Sequence, residues 1–283
     1  MGDAFEVVTH ISDPFSSVTH LIGAIAFAWL GASLVRRADG EPARRAAVVI
    51  FAFSVSLMLL VSGVFHMLPQ GGAARYVMHR VDHAAIFILI AATFTPMHAI
   101  LFRGAARWGV LSVVWTIAIV GLTFKSMYFG SIPQWVSLTL YMAFGWLGLA
   151  SGIALLQRLG YSFVRPLILG AVAYSVGAIT DFAQWPILLP SVIGSHELFH
   201  LAVLVGLACH WHFVRGFASG RYLPGHLVRA ALAPVMRSSA AAASNVLMLR
   251  RSRLIPALLR PARNRNMVNP AVNPAVNLRV LAG

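Results

Sequence analysis

The sequence predicts an all-α polytopic membrane protein, folded as a seven-transmembrane helix bundle. Of its 283 residues 59% are hydrophobic and only 11% are charged, whereas about a quarter of the residues in soluble domains are charged. The hydrophobic residues also form continuous blocks, each long enough to span a hydrocarbon layer of roughly 30 Å. Backbone groups in lipid must be satisfied within helices or closed barrels, and barrel strands alternate polar with apolar residues. Continuous apolar blocks therefore favour helices.

Seven such blocks lie within residues 1–220, which we interpret as one transmembrane domain. Glycine, proline and charged residues separate the blocks, as expected of loops between membrane helices. The predicted spans are residues 16–35, 47–67, 81–102, 108–124, 134–156, 166–189 and 196–217.

The basic residues predict how the chain is oriented in the membrane and what its last segment binds. The formal net charge is +14, and arginine is concentrated in loops and in residues 221–283. We expect this last segment to be a basic, disordered tail that lies on anionic lipid head groups and binds no nucleic acid. Loops after the first, third and fifth blocks carry more arginine and lysine than the others do. The distribution predicts a cell-membrane protein with its amino terminus outside.

Ionisable side chains inside the apolar blocks indicate function, because they are costly at membrane depth. The most informative are His196 and His200, which lie one helical turn apart and can bind a single metal ion. The segment also fits the H-E-x-x-H pattern, in which Glu197 would be the base. The other embedded residues are His20, His66, Asp82, His83, His98, Asp181, His210 and His212.

A third metal ligand has to come from another helix, and His66 is the best candidate. The second block ends, and the third and seventh begin, on the same side of the membrane. His66, Asp82, His196 and His200 are therefore expected at one depth. Three imidazoles and a water form an open zinc site. Asp82 would bind the metal or hydrogen-bond the water, and Ser62 would orient the water or a substrate carbonyl.

The sequence resembles the hemolysin III-like members of the progestin and adiponectin receptor family. The resemblance rests on Asp13-Pro14 to His20 with Gly23, on Ser62 to His66, on Asp82 to Pro96 and on Ser195 to His200. It implies a seven-helix bundle with Zn²⁺ held by His66, His196 and His200, with Asp82 in contact with the zinc-bound water and Ser62 nearby. Receptors of the adiponectin type also imply a cytoplasmic amino terminus, opposite to the charge count.

The predicted function is metal-dependent hydrolysis of a lipid amide, because the wider superfamily includes alkaline ceramidases. Asp82 would be the general base and Glu197 the alternative base; the partners would be membrane lipids with a ceramide or fatty-acyl substrate. Three alternatives stay open: a lipid-responsive signalling or membrane-homeostasis protein with structural zinc, a pore-forming cytolysin and a haem electron carrier. A retinal pump is disfavoured, because the only lysine, Lys125, lies at the end of the fourth block.

Overall fold

The computed structural model describes residues 11–38, 40–190 and 192–220. Within these residues the chain is helical, and β-pairing is limited to an isolated bridge between Leu189 and Ile193. The helices are α1 (Pro14–Arg37), α2 (Pro42–Met67), α3 (Ala73–Leu101), α4 (Ala105–Met127), α5 (Gln134–Trp146), α6 (Gly148–Leu159), α7 (Tyr161–Ala183) and α8 (Ser195–Arg215). The predicted basic tail lies outside the described residues.

Seven spans in the described part of the chain are long and apolar enough to cross a membrane, which confirms the predicted all-α bundle. Helices α5 and α6 together form the fifth span, Gln134–Leu159. Leu147 lies between these two helices and keeps helical backbone angles, φ −55° and ψ −24°. The fifth span thus crosses as a nearly continuous rod.

The helix ends differ from the predicted blocks, because helices continue through polar residues that hydropathy leaves out. Helix α3 begins at Ala73, well before the predicted start at residue 81, and its first turns include Arg75 and Arg80. Helix α7 ends at Ala183, before the predicted end at residue 189. Gln184 adopts the left-handed conformation there, at φ 54°, which is a common way for a helix to end.

Small residues allow neighbouring helices to approach closely. A Cβ atom added to Gly31 of α1 would lie 2.8 Å from the Ala52 side chain of α2. A Cβ atom on Gly177 of α7 would lie 2.6 Å from Ala202 of α8. Such contacts are typical of membrane helices, which associate through close backbone packing. Helix α8 also packs against α1 and α3, so the last span meets the first.

Replacing Gly31 with alanine should destabilise the bundle. Alanine is the better helix former by up to about 1 kcal/mol, but the contact with Ala52 forces α1 and α2 apart, and overpacking costs about 1–3 kcal/mol. The matched control is Gly109→Ala in α4, where an added Cβ meets nothing within 4 Å. Thermal unfolding in detergent should show a lower midpoint for Gly31→Ala than for Gly109→Ala. Equal midpoints would contradict this account of the packing.

Candidate metal centre

Three imidazoles from two helices meet at one end of the bundle. His66 is the penultimate residue of α2, and His196 and His200 lie in the first two turns of α8. Each ring offers a nitrogen that lies within 4.8 Å of those of the other two, and the Nε2 atoms of His196 and His200 are 3.0 Å apart. His66 and His200 are 3% and 4% exposed. This three-histidine group could hold a metal ion.

The Nδ1 atom of each of these histidines already has a partner. His66 Nδ1 donates to Asp13 Oδ2 at 2.9 Å, and His196 Nδ1 donates to Asp181 Oδ1 at 3.0 Å. His200 Nδ1 lies 2.8 Å from His20 Nε2. Partners of this kind fix the tautomer and orientation of metal-binding imidazoles. All three Nε2 atoms are therefore left for one shared ligand.

Asp13, which precedes α1, ties the start of that helix to the end of α2. Its backbone N–H donates to the His66 carbonyl at 3.1 Å, and its carboxylate accepts a hydrogen bond from Arg75 at 2.7 Å. Burial raises the pKa of the Asp13 carboxyl, but hydrogen bonds from Arg75 and His66 together with their charges lower it by more. The net pKa is below its usual value, so Asp13 is an anion that attracts the Nδ1 proton of His66.

A cavity of about 910 Å³ opens beside the three-histidine group, and Ser62, His66, Asp82, His196 and His200 all line it. The Ser62 hydroxyl lies beside the Asp82 carboxylate, and Asp82 Oδ2 is 3.5 Å from His83 Nδ1. Asp82 does not belong to the group whose nitrogens converge. The structure thus brings a buried carboxylate and a hydroxyl to the cavity that the candidate ligands face.

Glu197 lies in the first turn of α8, where its side chain caps the helix. Its carboxylate accepts a hydrogen bond from the Gly194 backbone N–H at 2.9 Å and so caps α8, and its other oxygen is 3.5 Å from the Ser16 hydroxyl. Glu197 is absent from the described lining of the cavity. The role of Glu197 as an alternative base stays a prediction.

The sequence does not identify the partners that orient these rings. His20 and Asp181 are embedded polar residues, but no periodicity links residue 20 to 200 or residue 181 to 196. Their signal was burial of an ionisable group in an apolar block. His98 carried the same signal without joining the group: its Nδ1 donates to the Ala106 carbonyl at 2.7 Å.

The fold and site define a multi-pass membrane protein whose helix bundle contains a histidine site suited to a metal ion. The chain belongs to the haemolysin-III related family, which its sequence matches over residues 9–211. It is 34% identical over 196 residues to Hemolysin-3 of Bacillus cereus, which covers 68% of this chain and 85% of that protein. It is 31% identical over 161 residues to the Hemolysin-3 homolog of Bacillus subtilis (strain 168), covering 56% and 71% respectively.

Removal of one imidazole should abolish tight metal binding. We expect about one equivalent of metal in the purified wild-type protein and almost none in His66→Ala or His200→Ala, because two imidazoles cannot complete a site that uses three protein ligands. The control is His212→Ala, which removes an exposed imidazole of the same helix α8. Elemental analysis measures the metal content of all four proteins, and equal contents would refute the site.

Removal of a residue that orients a ligand should lower the affinity for the metal without abolishing binding. In Asp181→Ala the His196 ring loses its hydrogen bond, and losses of this kind cost about 10–100-fold in metal affinity. The control is Gln134→Ala, because Gln134 contacts the other oxygen of Asp181 at 3.3 Å and leaves His196 untouched. Competition with a chelator measures the affinity. An unchanged affinity in Asp181→Ala would show that this contact does not orient a ligand.

Proposed function

We propose that this protein is a zinc-dependent hydrolase of lipid amides of the ceramide type. The observation that carries the proposal is the combination of three oriented imidazoles with a buried carboxylate in one cavity. Most of the walls are apolar, including Leu89, Ile90 and Phe94 of α3. Such walls suit hydrocarbon chains, whereas the histidine end suits a polar group that is to be cleaved.

The donor set supports zinc as the metal. Neutral imidazole nitrogens suit zinc better than they suit magnesium or calcium, which prefer oxygen ligands. Three protein ligands with an open fourth position are typical of catalytic zinc, whereas structural sites use four. When bound, zinc would lower the pKa of a water molecule and polarise a carbonyl group.

Asp82 and Ser62 would supply the remaining chemistry. Asp82 would accept the proton of the attacking water and pass it to the departing amine. The Ser62 hydroxyl would donate a hydrogen bond to the scissile carbonyl or hold the Asp82 carboxylate in place. Both side chains are buried, at 2% exposed for Ser62 and 8% for Asp82, so bulk water competes little for their hydrogen bonds.

Loss of the Asp82 carboxylate should separate metal binding from turnover. We expect Asp82→Ala to keep its zinc, because the three imidazoles remain, and to lose about 10²–10⁴-fold in hydrolysis of a long-chain ceramide, as is typical when a general base is removed. Glu197→Gln is the control, because glutamine can still cap α8 and should leave turnover largely intact. Zinc analysis and release of fatty acid are measured on the same preparations.

Two results would contradict the proposal. The first is zinc-loaded wild-type protein that is inert towards ceramides and other lipid amides, which would leave a structural metal in a lipid-responsive membrane protein. The second is loss of turnover in Glu197→Gln with turnover kept in Asp82→Ala, in which case the capping carboxylate would be the base.

A further inference from the structure

Lys125, the only lysine of the chain, is buried in the last turn of α4. It is 5% exposed and lines the same cavity as the three-histidine group. Helix α4 ends, and α3 begins, at the end of the bundle where α2 ends and α8 begins. The ammonium group therefore lies at the same end of the cavity as the three-histidine group.

The contacts of Lys125 leave its charge without an anion. The ammonium donates to the Ser137 hydroxyl at 2.7 Å and lies 4.7 Å from the centre of the Phe129 ring. Among the described residues no carboxylate lies within ion-pair distance of it, and Asp82, which lines the same cavity, pairs with His83. A buried charge without a counter-ion is costly, and intramembrane charges that persist usually bind something.

The residues around Lys125 suit an anion. His79 and His83 of α3 line the same cavity and are stacked edge to face, with ring centres 4.6 Å apart. Phe129 contacts both rings, at 4.6 Å and 5.3 Å, and also contacts Lys125. One aromatic side chain thus holds an ammonium and two imidazoles together, next to the space that a ligand would fill.

We propose that Lys125 binds the anionic head group, a phosphate or a carboxylate, of a lipid whose chain occupies the cavity. Lysine is a common phosphate-binding residue, and Ser137 and the imidazoles can add hydrogen bonds to the same oxygens. Where this inference identifies the bound lipid as the substrate, it rests on the proposed function. The substrate would then be an anionic lipid amide, with its head group at Lys125 and its amide at the histidines.

Binding can be tested without turnover, by native mass spectrometry of the protein in a non-ionic detergent. The probes are hexadecyl phosphate, hexadecanoate and hexadecanol, with inorganic phosphate as competitor. We expect wild-type protein to bind at least one of the anionic probes about tenfold or more tightly than hexadecanol, because charge-assisted hydrogen bonds are the strong ones. The tighter of the two identifies the head group.

Lys125→Met should abolish this preference while leaving the affinity for hexadecanol unchanged. Arg80→Met is the matched control: it removes a positive charge at the same end of the bundle that also lies over the Phe129 ring, 5.8 Å from its centre, but is not part of the described cavity lining, so the preference should persist. The proteins are compared with zinc and after treatment with a chelator, because a metal could itself bind the phosphate.

Three results would overturn the inference: a preference that survives in Lys125→Met, an equal loss in Arg80→Met, or competition by inorganic phosphate as effective as that by hexadecyl phosphate. The first two would assign the preference to the metal or to the neighbouring Arg80 guanidinium, and the third to a free anion. Failure of the proposed function is distinguishable, because it would appear as absent zinc or absent hydrolysis while the preference in chelator-treated protein remained.

Discussion

The structure depends on how three imidazoles are held within a membrane bundle. An unsatisfied polar group in an apolar environment costs several kcal/mol, so a cluster of histidines persists there only if both nitrogens of each ring are used. Asp13, Asp181 and His20 occupy the Nδ1 atoms, and one nitrogen of each ring lies within 4.8 Å of those of the other two. A metal ion bound between the rings would satisfy all three together.

The helix packing explains why these partners reach the rings. Close contact of α1 with α2 allows the Ser17 hydroxyl to donate to the Gly63 carbonyl at 2.9 Å, and a Cβ atom on Gly63 would lie only 2.7 Å from Leu21. Asp13 is thereby fixed against the end of α2. Asp181 reaches His196 because α7 turns at Gln184 and α8 returns antiparallel beside it. Packing one helical turn from His66 thus helps to set the geometry of the site.

The spans could be predicted from the sequence, because continuous hydropathy indicates membrane helices. The convergence of His66, His196 and His200 could be predicted as well, because successive helices alternate in direction and this places the three residues at one depth. The depth of a residue in the membrane does not, however, give the direction in which its side chain faces around the helix axis. Whether Asp181 faces α8, or Glu197 faces the cavity, depends on how each helix is rotated about its axis, and side-chain periodicity cannot decide this when a helix is apolar all round. The capping position of Glu197 and the pairing of His20 with His200 therefore required the structure.

The depth of the site bears on how hydrolysis is possible inside a membrane. His66 and His196 each lie next to a helix end and His200 is one turn deeper, about 6 Å further along α8 at 1.5 Å per residue. The three-histidine group is therefore near the interface, where water is available, while the apolar part of the cavity extends towards the middle of the bilayer. A lipid whose head group stays at the interface would bring its amide bond to the histidines with its chain buried below. The arrangement would separate the water that the proposed reaction consumes from the hydrocarbon chain of the lipid, because each would occupy its own end of one cavity.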